Sequence, residues 1–148
     1  MSDLLEKPSE QMILAFALER QISEMPNQID IEEVTEHAFC DGLYARTMRL
    51  PAFVAATGHI HRKESFFILR EGTLLNLTEN GVEQVYPGQM FVTRPGTKRA
   101  VFTMTDCVVT NIHGNPDNER EQAKLWDAYT IQPSAELLAY LETQKRLA

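Results

Sequence analysis

His59 and His61 stand one residue apart in Gly58-His59-Ile60-His61. Side chains on a β-strand alternate between faces with a period of two, so this spacing turns both imidazoles to one side. Inside a closed sheet the two rings can converge on a shared point and hold a metal ion or a small ligand. After a polar gap comes Phe66-Phe67-Ile68-Leu69-Arg70-Glu71-Gly72, which reads as a buried strand ended at a glycine turn. His113 shares strand parity with Asn111 and Val109. With that face inward it lies across from the pair, and three neutral imidazoles suit zinc, iron, copper or nickel. The alternatives are a pocket pair without metal, and a His113 that only caps the mouth of the sheet. His37 lies before these strands and reads as ordinary surface.

The cations suggest a different chemistry. Arg46 shares a strand face with Tyr44, Met48 and Leu50, so an inward face brings Arg46 and Tyr44 into the pocket. Ser65, Phe67, Leu69 and Glu71 share another face, which leaves open a purely structural Arg46–Glu71 ion pair. Arg94, Lys98 and Arg99 flank Pro95-Gly96, and turn cations are ordinarily solvated. A guanidinium facing a cavity is another matter, because its planar fork matches a carboxylate or phosphate. No nucleophilic triad and no glycine-rich phosphate loop is visible. Glu32-Glu33 and the Asp117, Glu119, Glu121 group read as solvated faces.

Three kinds of element must position these groups. Residues 9–25 form a predicted helix, with Ser9 as cap, Met12, Ile13, Phe16, Ala17 and Arg20 on one face, and Pro26-Asn27 as its stop. From Ile29 to about Ile112 short apolar pieces alternate with turn signals such as Asp41-Gly42, Tyr86-Pro87-Gly88 and Pro95-Gly96. Asn80-Gly81 is the strongest of them, a tight-hairpin signal. Regular short strands without βαβ units predict a sandwich or barrel. Residues 117–128 and 134–147 are predicted helices, the second capped by Ser134 with Leu137, Leu138, Tyr140 and Leu141 as its stripe. The predicted organisation is one domain, 1–148: a helical extension at 1–28, a barrel at 29–114 and helices at 115–148.

Bulk properties narrow the partners. The 148 residues are 43% hydrophobic and 24% charged, which is the composition of a globular chain. A net charge of −7 disfavours non-specific nucleic-acid or anionic-membrane binding but leaves room for a basic pocket. No apolar run has the length of a membrane span, and residues 1–8 lack the pattern of a signal peptide. Cys40 and Cys107 have no metal-type spacing, so both are expected free in a reducing, cytoplasmic compartment.

Over roughly residues 36–113 the sequence resembles the cupin superfamily of small jelly-roll barrels. His59 and His61 fill that family's His-x-His pair, Gly72 its closing glycine, and Gly88 with Pro95-Gly96 its second motif. The pattern is also similar to small cupins encoded by phages and prophages. The resemblance implies an all-β fold, a single cupin barrel with an N-terminal helix and C-terminal helices. It also implies one divalent transition metal (Fe, Zn, Mn or Ni) or a site that has lost it. Two departures matter. The family's glutamate position falls on Ser65, with Glu64 one residue off and so turned to the other face unless a bulge intervenes. Arg99 stands where a third histidine is expected, and a guanidinium repels a cation. Cupins serve many functions, so three readings stay open. In the first, the barrel binds a small anionic or nucleotide-like molecule through Arg99, Arg46, Tyr44, His59 and His61. In the second, it is a metal-dependent dioxygenase or isomerase built on His59, His61, His113 and Glu64. In the third, it is a dimeric scaffold or interaction module. Phe66 and Ile68 alternate outward, which fits burial in a homodimer.

Overall fold

Alternating apolar residues form strands in the computed structural model, ten of them among the described residues, 8–26 and 28–143; the tenth lies in the part expected to be helical. Helix α1 (Glu10–Ser23) comes first, then a 3-10 turn (Ile31–Val34). Nine strands follow: β1 (Thr35–Cys40), β2 (Gly42–Leu50), β3 (Ala55–His61), β4 (Ser65–Glu71), β5 (Leu74–Thr78), β6 (Gly81–Val85), β7 (Met90–Thr93), β8 (Lys98–Thr103) and β9 (Cys107–Asn115). The chain ends in α2 (Gln122–Tyr129), the short β10 (Thr130–Ile131) and α3 (Ala135–Glu142). The strands pair antiparallel into two five-stranded sheets, ordered β1-β2-β9-β4-β7 and β10-β3-β8-β5-β6. This double-sheet barrel agrees with the expected jelly roll, although three α-helices confine "all-β" to the barrel itself. No helix among the described residues is long and apolar enough to cross a membrane. Cys40 is exposed and Cys107 buried, both as free thiols.

The two sheets are finished differently. The outer face of the second sheet lies under helices: Met12 and Ile13 of α1 and Leu137 and Leu141 of α3 form one buried cluster with Ile60 and Ile131. Ser9 accepts the Met12 N–H at 3.1 Å and Ser134 the Leu137 N–H at 3.0 Å, so both helices start where their caps predict. The buried face of α1 carries Gln11 and Ala15 beside Met12 and Ile13, where the sequence reading had Ala17 and Arg20. The Gln11 side-chain amide donates to the Lys98 carbonyl at 2.7 Å. Lys98, expected to be solvated, is buried under α1, with Nζ on Glu19 at 2.9 Å and on the Gly58 carbonyl at 2.7 Å. Arg94 is the solvated cation of this group. The outer face of the first sheet leaves Phe66, Met90 and Val92 exposed.

Helix α2 starts five residues later than its composition predicts. Asn118 adopts φ 50°, and Asn115 closes a turn by accepting the Glu119 N–H and donating to the Glu119 carbonyl. The predicted end of α3, residues 144–147, lies outside the described residues, as does Asn27. The β5–β6 hairpin turns at Glu79-Asn80, and Gly81 opens β6 with φ 105°.

Inside the barrel, apolar side chains fill one end only. Leu69, Leu74, Val85, Cys107 and Val109 pack there with Phe67 and Val101. Gly72 makes this closure possible. Its φ is +85°, and a Cβ there would stand 2.1 Å from the Asp106 carbonyl oxygen and 2.8 Å from Cys107 Sγ. Gly72→Ala therefore combines a left-handed backbone with a clash against main chain. We expect a loss of about 3–4 kcal/mol, read from the urea midpoint; a change below about 1 kcal/mol would contradict this packing.

Candidate functional site

The unfilled end of the barrel is a cavity of about 400 Å3. Tyr44, Arg46, Met48 and Leu50 line it from β2, which establishes the inward parity expected of that strand. His59 and His61 line it from β3, Arg99 from β8, and Asn111 and His113 from β9. A register shift between Thr57 and Ile60 loosens β3 at this point; Ile60 turns outward to the helices while both histidines keep the cavity side. Helix α2 covers the mouth with Leu125, Trp126 and Tyr129. It is held by the Tyr129 hydroxyl on the Gly114 carbonyl at 2.6 Å and by Arg62 on the Thr130 carbonyl at 3.0 Å.

Glu64 is not part of this arrangement. Its side chain is 61% exposed and meets Arg94 at 3.7 Å. Ser65, next to it, is the residue that turns inward, as strand parity requires. No bulge intervenes at that end of β4, because Ser65 pairs regularly with both Thr93 and His113. The irregularity in β4 falls between Leu69 and Glu71, and it leaves Glu71 exposed, so the Arg46–Glu71 ion pair does not form.

The histidines are arranged as a stack. The His61 and His113 rings lie 6.3 Å apart and 14° from parallel. His113 also stacks on Tyr129 at 4.6 Å and on Tyr44 at 5.7 Å. His59 leans on Trp126 at 4.9 Å. Among the described residues, no three His, Cys, Asp or Glu side chains come together as a metal site. Glu64 points away from the imidazoles and two guanidiniums share their cavity, a lining that opposes a bound dication.

Burial pulls His61 down to about 4, with His113, Arg99, His59 and Arg46 adding repulsion. Burial pulls His113 down to about 4 as well, with Arg46 contributing. His59 is lowered by burial and then by Lys98. Near neutral pH, then, the stacked pair His61 and His113 is uncharged and the cavity's positive charge rests on Arg46 and Arg99. Burial lowers Arg99 to about 10, which still leaves it charged. Its Nη1 donates to Asn76 Oδ1 at 3.1 Å and its Nη2 to the Thr93 hydroxyl. The guanidinium lies over the rings of Phe67 and Phe91 at 4.7 and 4.9 Å. No carboxylate among the described residues pairs with it. The Nε atoms of Arg99 and Arg46 and the Ser65 hydroxyl are buried without a hydrogen-bond partner.

Two residues at the mouth, Glu32 and His37, are exposed as the sequence reading expects, yet they contact residues of the cavity wall. Glu32, on the 3-10 turn, reaches Arg46 at 3.7 Å and His37 Nε2 at 3.1 Å. His37 Nδ1 lies 2.6 Å from the Tyr44 hydroxyl. Burial raises Tyr44 to about 12, so the phenol keeps its proton. The Arg46 guanidinium lies 5.2 Å from the Trp126 ring. Trp126, Asn76 and Thr93 also escaped notice. Asn76 carried a signal, since it shares parity with the buried Leu74 in an otherwise apolar strand.

No protein-family model matches the sequence, and no curated protein does either. Solved structures are similar in chain trace. A cupin-2 domain protein from Shewanella frigidimarina is 14% identical, with 66% of this chain and 92% of that one covered and a TM-score of 0.47. KdgF from Halomonas sp. is 16% identical, covering 62% and 87%, with a TM-score of 0.49. The cupin-2 domain of an XRE family transcriptional regulator from Enterobacter cloacae is 12% identical, covering 56% and 96%, with a TM-score of 0.49. Likenesses this distant carry no argument about the site, and they lend no support to the phage resemblance.

Proposed function

We propose that the barrel binds a small organic anion, gripped by Arg99 at the inner end of the cavity. The observation that carries this reading is a buried guanidinium with only neutral hydrogen-bond partners and an unsatisfied Nε. Removing a charge from water costs several kcal/mol unless it is paired, and a bound carboxylate would supply the missing pair through a bidentate contact. The walls suit such a ligand, with Phe67, Met48, Val101 and Val109 offering apolar contact and Asn111 and the neutral histidines offering hydrogen bonds. The cavity lies within the usual range for small-molecule sites, about 300–1,000 Å3.

Titration calorimetry on the full chain tests this with short-chain carboxylates, phosphate and nucleoside monophosphates. Saturable binding of at least one carboxylate is expected, weakening with added salt. Heats no different from dilution across the series would remove the reading. The exposed Phe66, Met90 and Val92 on the first sheet favour a homodimer through that face.

A further inference from the structure

Arg46 offers a second cationic end to the same cavity. Its side chain is 13% exposed, and its Nε is buried and unpartnered. Its ion-pair partner is Glu32 at 3.7 Å, longer than the roughly 2.7–2.9 Å of a charge-assisted hydrogen bond. Glu32 is half-exposed and sits on a short turn held mainly by Asp30, which accepts its N–H at 3.0 Å. Asp30 also lines the mouth, yet its carboxylate is spent on that cap. Arg99, at the inner end, has no carboxylate partner among the described residues. The cavity that both guanidiniums line is otherwise largely apolar, with Met48, Phe67, Val101 and Val109 beside His61 and Asn111.

We propose that the ligand is a small organic dianion with an apolar middle. One carboxylate sits on Arg99, and the other takes Arg46 by displacing Glu32. This rests on the anion-binding reading and narrows it to a chemical class. Glu32 is then a tethered competitor. It keeps Arg46 neutralised while the cavity is empty and swings off when a second carboxylate arrives. His37 gives the displaced group a resting place, since its Nε2 already holds Glu32 at 3.1 Å while its Nδ1 is fixed on the Tyr44 hydroxyl. A role for Glu32 in merely holding the fold predicts that its loss weakens binding. The competitor role predicts the opposite.

Adipate and hexanoate, equal in chain length and differing in the second carboxylate, are the probes, titrated into the full chain by calorimetry. Adipate is expected to bind about tenfold more tightly than hexanoate, as one further desolvated charge pair provides. Glu32→Gln keeps a hydrogen-bond acceptor for His37 but no charge; it should tighten adipate several-fold and leave hexanoate unchanged. Arg46→Met should erase the difference between adipate and hexanoate. Equal wild-type affinities for the two probes, or a Glu32→Gln protein that binds adipate no better than wild type, would overturn the dianion while leaving anion binding in place. Failure of both probes to bind the wild type would overturn the dianion, and the anion-binding reading falls with it when phosphate and nucleoside monophosphates also give only heats of dilution.

Discussion

Arg99→Met should abolish carboxylate binding while leaving the melting temperature within a few degrees of wild type. Two opposing terms account for the unchanged fold. Methionine relieves the cost of burying a guanidinium that has no counter-charge, and its length lets it rest against Phe67 and Phe91 as the guanidinium does. Against this, Asn76 and Thr93, both buried, each lose a donor. Each side amounts to about 1–4 kcal/mol, so the two largely offset. Binding has no such compensation. The anion loses its bidentate partner, a loss of about 2–5 kcal/mol, or roughly thirtyfold to several thousandfold in Kd. Calorimetry paired with a thermal melt reads both quantities on one preparation. A collapse of the melting temperature by ten degrees or more would show that Arg99 ties β5, β7 and β8 together as structure. Binding that survives in a folded Arg99→Met protein would show that the anion sits elsewhere.

Acidification should destabilise the protein well before its carboxylates titrate. The ordinary histidine value is 6.5, and burial holds both His61 and His113 at about 4 in the folded chain. Their folded values are depressed, so the unfolded chain binds more protons whenever the pH is below about 6.5. Stability is therefore full above 6.5 and falls as the pH drops from 6.5 toward 4. The two sites contribute on the order of 3 kcal/mol each across that window. Urea midpoints at pH 7.5, 6.0 and 4.5 should decline steadily, and His113→Gln should flatten the decline by about half. A midpoint constant from pH 7.5 to 5 would mean that the stacked pair takes up protons without penalty, despite its burial and the guanidinium charges beside it. In ligand binding the same protonation adds positive charge, so affinity for a carboxylate should not fall across the upper part of this range.

The barrel was legible because strand parity and turn chemistry are local. Counting in twos puts Tyr44 with Arg46 and His59 with His61 on shared faces without saying which faces look inward, and the structure brings these four and His113 to one cavity. The same counting put Ser65 inward and Glu64 outward, and the structure agrees. What stayed hidden depended on contacts across the chain. Lys98 and Arg99 are neighbours after one turn, yet one is buried under α1 and the other inside the barrel. The covering helix gives Lys98 its carboxylate, and no local pattern announces that. Glu32 and His37 are surface residues, but their contacts with Arg46 and Tyr44 depend on β2 and leave no local signal. The late start of α2 comes from the side chain of Asn115, which closes a turn against a backbone that composition alone would make helical. Ring orientation was also beyond the sequence. Parity brings imidazoles to one cavity but does not decide whether they converge or stack.

Native mass spectrometry, on protein purified without chelator or immobilised nickel and paired with elemental analysis, tests the central claim most directly. The account predicts a chain carrying far less than one equivalent of transition metal. It also predicts that one small organic anion per chain stays bound on addition to the wild type and is absent from Arg99→Met. One equivalent of iron, zinc, manganese or nickel per chain, with no anion adduct in either protein, would contradict it and return His59, His61 and His113 to the role of metal ligands.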